Sequence, residues 1–206
     1  MVCIFDMGGV VTNTSLVEGR IAELLGITEE EFIALCTGSS ARVNAPGSKA
    51  RENLFAAASN GTLSAKEFWK EFSLRSGLSV HTDWYHWLFH PSKIEGTWRI
   101  IQALKENGNR VVCGTNTIES HYLNHMERGD YQIFDQTYTS FLMGVSKPAP
   151  EFWRIILTAE NISPEDAIFI DDKSENCEAA QALGIRTHQF TSPERLEEWL
   201  KSLNLL

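Results

Sequence analysis

The stretch Val2-Cys3-Ile4-Phe5-Asp6-Met7-Gly8-Gly9 runs from four apolar residues directly into an acidic residue and two glycines. A short unbroken apolar run is typical of a strand that is buried on both faces of a parallel sheet. Two later segments repeat the format: residues 111–113 precede Thr115-Asn116, and residues 167–170 precede Asp171-Asp172. Helix-like patterns follow the strands. This alternation predicts an α/β fold, a Rossmann-like doubly wound parallel sheet.

The pattern changes after the first strand and indicates helices almost throughout the next eighty residues. Thr28-x-x-Glu31 and Ser64-x-x-Glu67 have the spacing of helix capping boxes, and no run is rich in β-forming residues. Residues 39–48 look like a loop. We therefore predict an inserted α-helical cap over residues 14–91, with residues 1–13 and 92–206 forming the α/β core.

The charge of the chain argues against two classes of partner. It has 18 Lys and Arg against 27 Asp and Glu, a net charge of −9. Such an acidic chain lacks the basic surface of a nucleic-acid binder and is repelled by an anionic membrane. No signal peptide is recognisable at the start, and Cys3, Cys36, Cys113 and Cys177 form no CxxC pair. We expect a cytoplasmic protein with reduced thiols, no nucleic-acid partner and no membrane partner.

Polar residues at the carboxyl ends of parallel strands converge on one crevice, which is where ligands bind in such sheets. Together with a lysine in a later loop, they are Asp6, Thr115, Asn116, Lys147, Asp171 and Asp172. Three carboxylates suit Mg²⁺, which bridges to substrate phosphates, while the lysine and the hydroxyl suit anionic oxygens. The set fits phosphoryl transfer to a carboxylate nucleophile from a small phosphorylated substrate.

Each of these residues, taken alone, also has a structural explanation. Asp6 before two glycines suits a turn, Thr115 or Asp172 suits a helix N-terminus, and Lys147 suits a solvated loop. Their joint occurrence, each near the end of an apolar strand or before a helix, favours the functional interpretation.

The order and surroundings of these residues resemble the haloacid dehalogenase-like hydrolase superfamily over nearly the whole chain. Residues 5–10 look like its first motif, which implies that Asp6 is the nucleophile. Residues 112–116 look like the second motif, which implies that Thr115 and the Asn116 region hold the phosphate. Lys147 before a proline looks like the third motif and would neutralise the phosphoryl group.

Residues 169–176 look like the fourth motif of this family, with Asp172 as a metal ligand and Asp171 as its partner. The resemblance implies a Mg²⁺ site that also uses Asp6 and the backbone carbonyl of Gly8. The helical insertion is similar to the C1-type cap of this superfamily.

Gly8 departs from the family pattern, because phosphatases of the family usually carry a second Asp two residues after the nucleophile. That Asp protonates the leaving group and then activates water, and such help is worth ~10²–10⁴-fold. A phosphatase without it would suit leaving groups that need little protonation, such as those of sugar 1-phosphates or acyl phosphates. Alternatively, another side chain could take over the acid–base role of the missing Asp; the candidates are Thr12, Asn13, His81, His86 and His90.

Two alternatives to a phosphatase stay open. A 2-haloacid dehalogenase also lacks the second Asp, but it needs no metal and generally lacks the carboxylate pair that Asp171 and Asp172 form here. Without a cation, that pair would repel an anionic substrate. The other alternative is a weakened member of the family with a binding or regulatory role.

The cap is expected to close over the crevice and to set specificity. Its candidate contacts to an anionic or polyhydroxyl substrate are Arg20, Arg42, Lys49 and Arg51. Trp84 and Trp87, at helical spacing, are predicted to pack between cap and core. The sequence assigns no oligomeric state.

Overall fold

The computed structural model describes residues 1–40 and 52–206. Its five strands are β1 (Val2–Phe5), β2 (Arg110–Thr115), β3 (Gln136–Thr139), β4 (Ala167–Asp171) and β5 (Arg186–Gln189). All neighbouring strands are parallel, in the order β3-β2-β1-β4-β5. The order places β1 at the centre and reverses direction there, so the predicted doubly wound sheet is confirmed.

Helices account for most of the remaining described residues. Those that precede β2 are α1 (Glu18–Leu25), α2 (Glu29–Thr37), α3 (Leu54–Ser59), α4 (Ala65–Ser76), α5 (Trp84–Leu88) and α6 (Glu95–Glu106). Those that follow it are α7 (Glu119–Glu127), α8 (Ser140–Met143), α9 (Pro150–Glu160), α10 (Ser174–Gln181) and α11 (Pro193–Ser202). At the start of α4 both bonds of the capping box predicted at Ser64 are present. Thr28 caps α2 by accepting from the backbone N–H of Glu31.

The two faces of the sheet carry separate apolar layers, because side chains alternate along each strand. Cys3 and Phe5 of β1 pack with residues of α6 and α11 on one face. Val2 and Ile4 pack with residues of α9 and α10 on the other face. Burial on both faces explains why the strands read as continuous apolar runs.

Helices α1 to α5 enclose a third apolar core of their own. The chain enters and leaves this unit side by side, since the N–H of Asn13 donates to the carbonyl of Ser92 at 2.8 Å. We keep the division into a cap of residues 14–91 and a core of residues 1–13 and 92–206 as a proposal. Trp84 packs partly buried against the cap core, but Trp87 is 65% exposed, so its predicted packing role is wrong.

No helix in the described ranges is long and apolar enough to cross a membrane. The four cysteines are buried and free.

Candidate active site

The carboxyl end of β1 presents Asp6 at the centre of the sheet edge. Its backbone N–H donates to the carbonyl of Ile170 at 2.9 Å, which continues the β1–β4 ladder by one residue. In that ladder Phe5 lies opposite Ile170, so the next residues, Asp6 and Asp171, fall side by side. Asp6 is 8% exposed. Burial raises the pKa of Asp6 above its usual range, although the nearby Lys147 acts in the opposite direction.

Lys147 joins the two strands through its ammonium group. Its Nζ lies 2.9 Å from Asp6 Oδ1 and 2.7 Å from Asp171 Oδ2, and it donates to the carbonyl of Gly114 at 3.0 Å. Burial alone would lower the pKa of Lys147, but the two carboxylates raise it above its ordinary value. The side chain therefore stays charged and holds Asp6 in place.

Asn116 positions the backbone that carries this lysine. Its amide Nδ2 donates to the carbonyl of Lys147 at 2.9 Å, and its Oδ1 accepts from the N–H of Lys147 at 2.8 Å. Thr115, the last residue of β2, is buried beside it and lines the same cavity as Asp6. The structure thus brings together the predicted residues Asp6, Thr115, Asn116 and Lys147.

The two adjacent carboxylates at the end of β4 have different surroundings. Asp171 is fully buried, and both of its oxygens accept hydrogen bonds. Oδ1 accepts from the N–H of Lys173, and Oδ2 accepts from Lys147 Nζ. Asn176 Nδ2 donates to both oxygens at 3.0 Å. Asp172 Oδ1 is buried but has no hydrogen-bond partner among the residues that the structure describes. Burial, then the charge of Asp171, raises the pKa of Asp172. Asp171 is thus held by the protein, whereas Asp172 has an oxygen available for a ligand.

The residues present fit a hard cation. One oxygen each from Asp6, Asp171 and Asp172 lie within 4.8 Å of one another, and carboxylate oxygens are the ligands that Mg²⁺ takes in proteins. The orphaned oxygen of Asp172 needs a partner of this kind. Gly9 has φ +81°, and a Cβ there would lie 2.7 Å from Asp172 Oδ2, so the loop after β1 approaches this carboxylate closely because Gly9 has no side chain.

A cavity of about 250 Å³ opens over these groups. Its walls include residues that sequence reasoning missed: Phe89 directly after α5, His121 and His125 on α7, and Tyr131. Phe89 precedes the second motif and the other three lie between the second and third motifs, and the sequence contained no spacing that singled them out.

The residues suggested in place of a second Asp mostly lie elsewhere. Asn13 lines the cavity, but Thr12 is buried under the loop, where its hydroxyl donates to the carbonyl of Met7. His81, His86 and His90 do not line the cavity that the described residues enclose.

Of the four basic residues that were candidates for substrate contact, the structure describes Arg20 alone. Arg20 is exposed and does not line the cavity. Arg42, Lys49 and Arg51 lie outside the described residues.

The parallel α/β sheet places an aspartate at the end of its central strand, a lysine that bridges it to Asp171, and a second acidic residue, Asp172, beside them. The family model for haloacid dehalogenase-like hydrolases matches residues 1–184. The chain belongs to this family and is therefore a hydrolase, so the resemblance inferred from the four motifs is confirmed.

Curated relatives of known activity include phosphatases. The chain is 32% identical to the sesquiterpene phosphatase astK of Aspergillus oryzae over 61% of its own length and 73% of that protein. It is also 32% identical to the D-ribitol-5-phosphate phosphatase of Bacteroides thetaiotaomicron, over 35% of this chain and 34% of that protein. The second match therefore spans only about a third of the relative.

Solved structures share the fold. A haloacid dehalogenase family enzyme from Bacteroides thetaiotaomicron, crystallised with magnesium and inorganic phosphate, superimposes with a TM-score of 0.69 at 23% identity. The superposition covers 93% of this chain and 94% of that one.

Proposed function

We propose that the protein is a Mg²⁺-dependent phosphomonoester hydrolase that acts through an aspartyl-phosphate on Asp6. The observation that carries the proposal is the bridge of Lys147 between Asp6 and Asp171, beside the orphaned oxygen of Asp172, in the wall of one cavity. This arrangement holds one carboxylate as a nucleophile and leaves another free for a metal ion.

The first half of the reaction transfers the phosphoryl group to the protein. A carboxylate oxygen of Asp6 attacks phosphorus in line, and the bond from phosphorus to the leaving-group oxygen breaks. The electron pair of that bond stays with the leaving group, which takes a proton from water because Gly8 offers no acid. Lys147 and the Thr115 hydroxyl hold the transferring oxygens and offset their charge.

The second half releases phosphate. Water attacks phosphorus, the bond to the Asp6 oxygen breaks, and the proton of the water passes to solvent or phosphate. Asp6, the Gly8 carbonyl and Asp172 would hold Mg²⁺, with Asp171 as a positioning residue that is itself held by Lys147 and Asn176. When bound, Mg²⁺ supplies positive charge against the phosphoryl oxygens.

We further propose that the substrate is a small phosphorylated metabolite such as a sugar phosphate. The cavity of about 250 Å³ is smaller than the ~300–1,000 Å³ that drug-sized ligands occupy. The ribitol-phosphate phosphatase among the relatives supports a small substrate, and the lack of an acid at Gly8 favours leaving groups that need little protonation.

The test measures inorganic phosphate released from sugar phosphates, acyl phosphates, nucleotides and p-nitrophenyl phosphate, with Mg²⁺ or with excess EDTA. We expect release that EDTA abolishes and added Mg²⁺ restores. The Asp6→Asn variant should lose turnover and keep its fold by circular dichroism. Asp166→Asn is the matched control, because Asp166 is exposed and remote from the cavity.

Turnover by Asp6→Asn at the wild-type rate would rule out the covalent mechanism. Metal-independent chloride release from 2-haloacids, without phosphate release, would show that the protein is a dehalogenase instead. Binding of phosphorylated ligands with no release from any substrate would indicate the weakened, regulatory alternative.

A further inference from the structure

Orphaned polar atoms cluster at the cavity. In the described part of the chain, nine buried side-chain nitrogen and oxygen atoms have no hydrogen-bond partner. Three of them belong to cavity-lining residues: Asp172 Oδ1, Tyr131 Oη and His121 Nε2. A metal ion accounts for the first. The other two have no part in the chemistry described above, and buried polar groups are seldom left without a partner.

Tyr131 is 6% exposed and lies in a 3₁₀ turn, Asp130–Ile133, that follows α7. Its ring packs against Tyr122 and His125, with centroids 5.5 and 5.2 Å away. Burial raises the pKa of Tyr131, and the Asp6 carboxylate is among the charges that add to the rise. The phenol therefore keeps its proton and is available as a donor on the same side of the molecule as Asp6.

His121 supplies a second polar group. Its ring stacks on Phe89, with centroids 3.8 Å apart and an interplanar angle of 14°. Burial, followed by the nearby His125 and His86, lowers the pKa of His121 to about 3. The ring is therefore neutral near pH 7, with one nitrogen as donor and the other as acceptor.

We propose that Tyr131 and His121 form the subsite for the leaving group and that they recognise its hydroxyl groups. Between esters whose leaving groups need protonation equally, the preferred substrate is then the one that carries hydroxyl groups, a phosphate ester of a polyol or sugar, and long isoprenoid chains are disfavoured. This inference rests on the proposed phosphatase function, since it concerns the part of the substrate that lies beyond the phosphoryl group. A hydroxyl can both donate and accept, which matches a phenol and a neutral imidazole that line the same cavity.

Selectivity follows from the same orphaned atoms. A site built to hydrogen-bond a hydroxyl discriminates against the analogue that lacks it, because its buried polar groups then stay without partners. An isoprenoid chain has no hydroxyl along its length and would leave both Tyr131 Oη and His121 Nε2 without a hydrogen-bond partner.

The experiment compares kcat/KM for two esters with the same carbon chain, D-ribitol 5-phosphate and pentyl phosphate, with farnesyl phosphate as a third substrate and p-nitrophenyl phosphate as a reference. We expect the wild type to prefer the polyol ester. In Tyr131→Phe and in His121→Phe the ratio of the two kcat/KM values should fall by about tenfold, the value of one hydrogen bond.

Two control variants make the same substitutions, Tyr to Phe and His to Phe, at residues that do not line the cavity. Tyr122→Phe alters a tyrosine that packs on Tyr131 but does not line the cavity, and His188→Phe alters a half-buried histidine on β5. Both should keep the wild-type ratio.

The outcomes separate this inference from the proposed function. Metal-dependent turnover of p-nitrophenyl phosphate that requires Asp6, with equal use of the polyol and pentyl esters, would overturn the subsite and leave the phosphatase standing. Preferred use of farnesyl phosphate, or an unchanged ratio in both cavity variants, would also overturn it. No phosphate release from any ester would overturn the function and the subsite together.

Discussion

Gly8 leaves open space two residues beyond the nucleophile. A Cβ placed there would meet no heavy atom within 4 Å, and the residue does not have the positive φ that penalises a side chain. The neighbouring Gly9 is the opposite case, since it has φ +81° and a Cβ there would collide with Asp172. The absence of an acid at position 8 is therefore not imposed by packing.

The first prediction is that Gly8→Asp adds the missing acid and base. A carboxyl group at this position can protonate the leaving group and then deprotonate water. Such acid–base catalysis raises the rate by ~10²–10⁴-fold. We expect kcat to rise for alkyl phosphates, whose leaving groups need a proton, and to change little for p-nitrophenyl phosphate. Steady-state kinetics on both substrates measures the difference.

Gly9→Asp serves as the control for Gly8→Asp, because it adds the same side chain where strain and a clash with Asp172 are expected. It should lower turnover of both substrates. An equal loss in both variants would contradict the idea that position 8 has room for an acid.

The second prediction concerns His121 and pH. The pKa of His121 is lowered from 6.5 to about 3 in the folded state, so between pH 7 and pH 5 only the unfolded chain takes up a proton there. The free energy of unfolding must therefore fall as the pH falls through this window. One such group contributes up to about 2 kcal/mol to the fall.

The measurement is urea unfolding at pH 7 and at pH 5 for the wild type and His121→Phe. The variant should lose less stability between the two pH values. His81→Phe, at an exposed position, should behave as the wild type does. An unchanged pH dependence in His121→Phe would show that this ring is not held neutral.

At the scale of elements, the buried Arg75 ties α4 to the end of α2. Its Nε donates to Glu71 Oε1 at 2.9 Å, and its Nη1 donates to the carbonyls of Leu35 and Cys36 in the last turn of α2 at 2.9 and 3.4 Å. The side chain of Arg75 is fully buried. One guanidinium therefore satisfies helix-end carbonyls and a carboxylate in the cap core.

The third prediction is that Arg75→Met lowers the free energy of unfolding by about 3 kcal/mol, because breaking a buried pair leaves a charge and carbonyls poorly solvated. Arg154→Met breaks the exposed pair with Glu151 and should cost less than about 1 kcal/mol. Chemical denaturation measures both. Equal small losses would show that the buried network contributes little.

The edge strands β3 and β5 were not predicted from the sequence, although the central ones were. Their burial is mixed, with exposed or half-buried positions at both Gln136–Tyr138 and Arg186–Gln189. An edge strand that is partly solvated needs no continuous apolar run. Its sequence therefore lacks the signal that distinguishes a buried strand from a loop.

At the scale of the whole molecule, one close approach between the proposed cap and the proposed core lies at Gly61. Gly61 has φ +68°, and a Cβ there would lie 1.9 Å from the carbonyl oxygen of Phe141. Beside it, Ser59 Oγ lies 3.1 Å from Ser140 Oγ. Ser140 Oγ in turn accepts from the N–H of Thr117 at 3.0 Å, next to the Thr115–Asn116 stretch that we propose holds the phosphate.

The fourth prediction is that Gly61→Ala pushes the cap away from the core and lowers kcat/KM by about 10- to 100-fold, the cost of a misplacement of the order of 1 Å. Gly77→Ala is the matched control, because Gly77 has φ +73° but no atom within 4 Å of a Cβ. It bears the same backbone strain without the collision.

Thermal unfolding and kcat/KM should be measured for both glycine variants. A similar loss of melting temperature in each, with a loss of kcat/KM in Gly61→Ala alone, would support the contact as part of the active arrangement. Unchanged kinetics in Gly61→Ala would contradict it.

The sequence by itself determined the family and the central strands, and it predicted Asp6, Thr115, Lys147 and the acidic pair as site residues. The strands and the residues at their ends follow from local signals, since an apolar run marks a strand and its end marks the crevice, whereas the family and the role of Lys147 follow from the order of the motifs. Only the tertiary structure decided that His121 and Tyr131 face the cavity, that both Asp171 oxygens are occupied while one Asp172 oxygen is not, and that Gly8 borders open space. These properties depend on residues that are distant in sequence. Neither periodicity nor spacing indicates which buried groups lack a hydrogen-bond partner.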